Sequence, residues 1–135
     1  MVKITGEYSG ELHCTAIHGP SGAAITTDAP KDNQGLGAAF SPTDLVATAF
    51  ATCIATTMAI KARQQGVELP GFRYEVEKEM SADAPRRIVR LTVNLWLPLA
   101  ARRIPEGLLR EFAEGCPVHH SLAPGVAKVV TFHWL

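Results

Sequence analysis

Three cysteines and a histidine pair are the residues whose types and spacing suit chemistry: Cys14, Cys53, Cys116, His119 and His120. A thiolate is a nucleophile and a metal ligand, and it forms where positive charge or hydrogen bonds offset burial. Cys53 lies in a run of Leu, Ala and Phe, so two readings stay open there. It is a packed sulfur, or it is a nucleophile whose thiolate needs a cation from elsewhere in the chain. Lys31, Arg86 and Arg87, all in turns or loops, are the candidate donors. Cys116 sits between a glycine and a proline, where a helical turn begins. Free N–H groups there favour a thiolate, although simple capping or packing is the other reading.

Cys14 alternates with Leu12 and Ala16 and reads as core filling in a strand. His119 and His120 follow Cys116 closely, but one Cys-x-x-His fragment without a second paired motif is weak ground for zinc, and no metal is expected. Spacing alone does not decide whether Cys53 and Cys116 pair. Gly35 and Gly37 lack the rest of a G-x-G-x-x-G loop, and neither G-x-S-x-G nor H-E-x-x-H is present, so no cofactor is expected.

The element that must position Cys53 is the clearest in the sequence. Ser41 suits an N-cap, Pro42 the first helical position and Asp44 the capping-box carboxylate, with Phe40 and Leu45 as the hydrophobic staple. The helix is expected to end near Gln65, with Gly66 as its stop. Leu45, Val46, Ala49, Phe50, Cys53, Thr57 and Ile60 form one apolar face, yet Ala47, Ala51, Ile54 and Met58 make the other sides apolar too. A helix of about 36 Å that is apolar nearly all round needs cover nearly all round. A homodimer in which two such helices share a core meets that need.

Around this helix the chain reads as strands. Lys3–Tyr8 and Glu11–Ile17 flank a Ser9-Gly10 turn, and Ala23–Thr27 follows. Residues 28–40 have no periodicity and are expected to form a long functional or mobile loop. Alternation at Phe72–Met80 and Val89–Leu97 predicts an antiparallel hairpin with one wet face. A helix over Pro105–Glu114, a short turn from Cys116 to Leu122 and a strand over Val126–Trp134 complete an α+β fold, read as one domain over residues 1–135.

Composition narrows the function classes. The 135 residues are 47% hydrophobic and 19% charged, with 13 basic against 13 acidic side chains. No run exceeds two adjacent Lys or Arg, which argues against a nucleic-acid groove or an anionic-membrane patch. The uncharged apolar stretch Leu45–Ile60 is shorter than a membrane span, and no signal-peptide core opens the sequence, so a cytoplasmic protein with reduced thiols is expected.

The segments Phe40-Ser-Pro-Thr-Asp-Leu-Val-Ala-Thr-Ala-Phe-Ala-Thr-Cys53 and Cys116-Pro-Val-His-His-Ser-Leu122 resemble the OsmC/Ohr family of osmotically inducible and organic-hydroperoxide-resistance proteins. Asp28-Ala-Pro30 and the long strand hairpin fit the same pattern. The resemblance implies an α+β fold with antiparallel sheets around a long central helix, in an intertwined homodimer with two sites at the subunit interface. It implies a peroxidase in which Cys53 attacks an organic hydroperoxide and Cys116 resolves the product to a disulfide, which a small dithiol or a dithiol protein reopens. Family peroxidases set a Glu and an Arg beside the helix cysteine. Here Thr43 occupies the Glu position, Asp44 follows it, and residues 1–40 contain no Arg, which leaves Lys31, Arg86 or Arg87 as the cation. The alternative reading is a non-catalytic dimer that binds an apolar small molecule, with structural cysteines.

Overall fold

A computed structural model describes residues 1–135, which divide into two compact units, Met1–Val46 and Ala47–Leu135. The first unit is a three-stranded antiparallel sheet, β1 (Ile4–Gly10), β2 (His13–His18) and β3 (Ala24–Asp28), in that order. Its first turn falls later than the Ser9-Gly10 signal predicts. Glu11 and Leu12 take the left-handed turn conformation, with φ of 54° and 63°. Ser9-Gly10 stays in β1 because the register shifts between Tyr8 and Gly10, and Gly10, at φ 89°, absorbs the bulge.

The segment after β3 is not structureless. A 3₁₀ turn at Lys31–Asn33 follows Pro30, and the Asp28 and Ala29 backbones bond to Phe40 and Leu12. The buried Asp28 carboxylate accepts from the Ala38 amide at 2.9 Å. A Cβ at Gly35 would collide with the Ala29 carbonyl, so this fold of the loop requires glycine there. One side chain and one glycine replace the periodicity that the loop lacks.

Helix α1 (Pro42–Gln64) begins as the capping signature predicts. Ser41 Oγ accepts from the Asp44 amide at 3.1 Å, and Asp44 Oδ2 accepts from the Ser41 amide at 2.9 Å. Gly66, at φ 74°, ends the helix. By length and composition alone α1 passes for a membrane span, as the core helix of a soluble protein also does. Its buried stripe is Ala47, Phe50, Ala51, Ile54, Met58 and Ala62. That differs from the expected face: Cys53 and Thr57 lie at its half-buried edge, and Ile60 is 54% exposed. Composition could not select the face, because nearly every side of this helix is apolar or small.

In the second unit, β4 (Arg73–Met80) pairs antiparallel with β5 (Ile88–Leu97) from Arg73↔Trp96 to Met80↔Ile88. Helices α2 (Glu106–Glu114) and α3 (Pro117–Ser121) then lead to β6 (Ala127–Trp134). β6 lies parallel to β5, so this sheet adds one parallel pair to its antiparallel hairpin. A parallel neighbour needs a long crossover, which α2 and α3 supply. The core sets the inner residues of β5 (Leu91, Val93, Leu95, Leu97) with the buried stripe of α1, Leu109 and Phe112 of α2, and Cys116. Each large apolar side chain fully buried there contributes roughly 1.5–3 kcal/mol. The mixed α+β fold, with antiparallel sheets and a long central helix, matches the expected class.

Candidate active site

Within the second unit the chain brings Cys53 and Cys116 together. The two side chains are hydrogen-bonded to each other, although they lie far apart in sequence. Cys53 reaches this place from the middle of α1. Cys116 reaches it as the N-cap of α3, where its sulfur accepts from the His119 amide at 3.4 Å. Gly115, the C-cap of α2, and Pro117, at the first position of α3, flank Cys116 between the two helices.

The two sulfurs hold their protons unequally. Burial pushes the Cys53 thiol up, but hydrogen bonds from the Cys116 thiol, the Val118 amide and the Thr57 hydroxyl outweigh it and bring Cys53 below the ordinary thiol value. Thr57 Oγ1 stands 4.0 Å from Cys53 Sγ, one helical turn along α1. Cys116 is fully buried, and burial followed by its hydrogen bond to Cys53 pushes it up to about 11. The expectation that free N–H groups at the start of α3 would favour a Cys116 thiolate is therefore corrected. Desolvation and the bond to Cys53 outweigh the His119 and Val118 amides at Cys116, and the Val118 amide acts on Cys53 as well. The pair titrates as a unit, with the first proton leaving from Cys53.

Val118 and Thr57 had not been singled out as acting on the sulfur. A backbone amide has no signature in a sequence, and Thr57 reads there as part of an apolar helix face. The His119 ring lies 6.1 Å from that of Phe50 between centroids, and burial holds its imidazole below the ordinary histidine value. No group of three metal-ligating side chains occurs.

The other candidates lie elsewhere. Arg86 and Arg87 share the second unit with Cys53, but the groups acting on that sulfur include neither of them. The Arg87 guanidinium is held in the β4–β5 turn by Asp83 at 3.3 Å and the Pro85 carbonyl at 2.9 Å. Lys31 opens the 3₁₀ turn of the first unit. Thr43 Oγ1 lies 3.1 Å from Ser41 Oγ, and Asp44 closes the capping box, so both are engaged in starting α1. Cys14 is exposed, not core. It shares a face of the first sheet with Tyr8 and Thr27 and lines a hollow of about 290 Å³ with them, Leu12 and Asp28. Its alternation with Ala16 places both on one face of the sheet, and Cys14 is exposed there.

A thiolate held by hydrogen bonds, beside a second thiol that keeps its proton, can attack an electrophile and then close to a disulfide. Comparisons with known proteins identify the family and the fold. The family model described as OsmC-like protein matches residues 33–130. A structure from Psychrobacter arcticus 273-4, named provisionally as an osmotic stress induced and detoxification response protein, is 38% identical, with a TM-score of 0.89 over 98% of this chain and 96% of that one. An OsmC-like protein from Mycoplasma pneumoniae is 16% identical (TM-score 0.83, over 100% and 97% of the two chains). An organic hydroperoxide resistance protein from Elizabethkingia anophelis is 10% identical (TM-score 0.80, over 100% and 96%). These last two likenesses speak to the fold alone. No curated protein matches the chain in sequence.

Proposed function

The chain belongs to the OsmC-like protein family, and on that premise we propose that it is a homodimeric, thiol-dependent peroxidase of organic hydroperoxides. Cys53 is the attacking sulfur and Cys116 the resolving one. The observation that carries this reading is the hydrogen-bonded pair itself, in which Cys53 gives up its proton more readily than Cys116.

The Cys53 thiolate attacks the outer oxygen of the hydroperoxide, a Cys53 S–O bond forms and the O–O bond breaks. The leaving alkoxide takes a proton and departs as an alcohol, while Cys53 becomes a sulfenic acid. Cys116 sulfur then attacks Cys53 sulfur. The S–S bond forms, the S–O bond breaks, and hydroxide leaves as water with the Cys116 proton. A small dithiol or dithiol protein returns two electrons and reopens the disulfide. The apolar neighbours of Cys53 suit an alkyl hydroperoxide better than hydrogen peroxide.

Two uncovered surfaces support the dimer. Ile4, Tyr8 and Ile25 share a face of the first sheet with Cys14 and Ala16 and are at least half exposed, and Ile60 is exposed on α1. Apolar surface of that kind marks an interaction site. The partner copy then brings the cation that a family peroxidase sets at the thiolate, with Lys31, Arg86 and Arg87 as candidates. A cytoplasmic location, where thiols stay reduced, fits three free cysteines.

A second reading, a non-catalytic dimer that binds an apolar ligand, is favoured by one fact: the groups acting on Cys53 are all neutral. Peroxide consumption separates the two readings. With cumene hydroperoxide and dithiothreitol, the wild type and Cys14→Ser turn over and Cys53→Ser falls to background; without the dithiol, Cys116→Ser is oxidised once per site. Equal, background-level consumption by wild type and Cys53→Ser would leave only the binding reading.

A further inference from the structure

Alternation along β6 directs Lys128, Val130, Phe132 and Trp134 to one side of the strand, the side that buries Phe132. A lysine in that row stands where an apolar residue is expected. Lys128 is half-buried, and its ammonium bonds only the Val126 carbonyl at 3.2 Å, with no carboxylate paired to it. An ammonium has three donors, and one bond to a carbonyl leaves the Lys128 head group able to take a negatively charged partner in the cleft it lines.

The surroundings of Lys128 suit such a ligand. Lys128 lines a cleft of about 210 Å³ with Arg110, Glu114, His119, Val130 and Phe132. The Arg110 guanidinium lies over the Phe132 ring at 4.4 Å and reaches Glu106 at 3.0 Å, so it is fixed in place at the cleft wall. Phe132, Val130 and Ala113 supply apolar lining. His119 stays largely uncharged at neutral pH because burial and the nearby Lys128 lower it. The volume corresponds to about seven waters at 30 Å³ each, too little for a whole drug-sized ligand and enough for a head group with a short chain.

We propose that this cleft is a subsite for the carboxylate end of an aliphatic acid, with Lys128 as its counter-ion, Arg110 as a second donor, and Phe132 and Val130 against the chain. His119 joins it to the dithiol, because its side chain lines the cleft while its amide bonds Cys116 sulfur. A ligand anchored at Lys128 therefore lies against the residue whose amide bonds the resolving cysteine, while the buried Cys116 itself stays outside the cleft lining. Its use in the reaction rests on the peroxidase reading; its binding does not. Glu114 opposes the anion, and removing its charge strengthens binding.

The test is calorimetric titration of full-length, reduced Cys53→Ser protein, which cannot turn over peroxide, with hexanoate, hexanamide and acetate. Hexanoate is expected to bind about tenfold or more tightly than hexanamide, the size of one charge-assisted hydrogen bond, and more tightly than acetate. Lys128→Met, which keeps most of the apolar stem, reduces the preference for the acid to what Arg110 alone supplies, and Glu114→Gln increases it. Equal binding of acid and amide, or a preference undiminished in folded Lys128→Met, overturns the subsite. Because no peroxide enters the titration, that failure is distinguishable from loss of the peroxidase reading, which the turnover assay reports.

Discussion

At Cys53 the opposing effects are of known sign. Desolvation alone would make this thiol a poor acid, and three neutral hydrogen-bond donors reverse that. The Cys116 proton is both the donor that holds the Cys53 thiolate and the proton available to the departing oxygen. The pH dependence of alkylation follows from this. Iodoacetamide labels Cys53 with a midpoint below the ordinary thiol value, while Cys116 resists labelling until the pH approaches about 11. Cys116→Ala deletes a donor and raises the Cys53 midpoint; Cys116→Ser keeps an O–H there and leaves the midpoint closer to wild type. Mass-resolved labelling across pH reads both effects, and an unchanged midpoint in Cys116→Ala contradicts this account of the pair. The cysteines themselves stand out by residue type. Their asymmetry does not, because it depends on the depth of Cys116 and on a Val118 amide that only the folded turn directs at Cys53.

At the scale of elements, α1 shows how much local chemistry can specify. Ser41, Pro42, Asp44 and Gly66 mark both its ends, and the structure keeps them close to where those signals place them. Ser41→Ala removes the acceptor for the Asp44 amide and is expected to cost about 0.5–2 kcal/mol, read as a lower urea midpoint at unchanged slope. No change in midpoint would mean that the cap does not hold the helix start. Local signals end where long-range pairing begins. Nothing local to β6 distinguishes a parallel from an antiparallel neighbour, and the rotation of α1 is hidden because its buried and unburied sides are equally apolar. The order of the loop after β3 is hidden for a different reason: it comes from Asp28, whose carboxylate accepts an amide ten residues away.

At the scale of the whole molecule, the uncovered apolar surface is the feature that one copy leaves unexplained. Cys14 illustrates it: its alternation predicts core filling, and in the single chain it is exposed. The proposed dimer would supply that cover and a cation for the thiolate. Ile25→Glu, on the exposed face of the first sheet, is expected to shift the protein from dimer toward monomer in sedimentation velocity and to lower peroxide turnover with it. A monomeric wild type at micromolar concentration would remove the dimer and the partner's cation together.

The central claim, that Cys53 and Cys116 form one redox unit, is tested most directly by peptide mapping with mass spectrometry before and after one equivalent of cumene hydroperoxide. The account predicts a new Cys53–Cys116 linked peptide, a loss of two hydrogens, and an unlinked Cys14. Cys53 and Cys116 peptides that remain reduced, or an oxidised Cys53 that never links to Cys116, would contradict it.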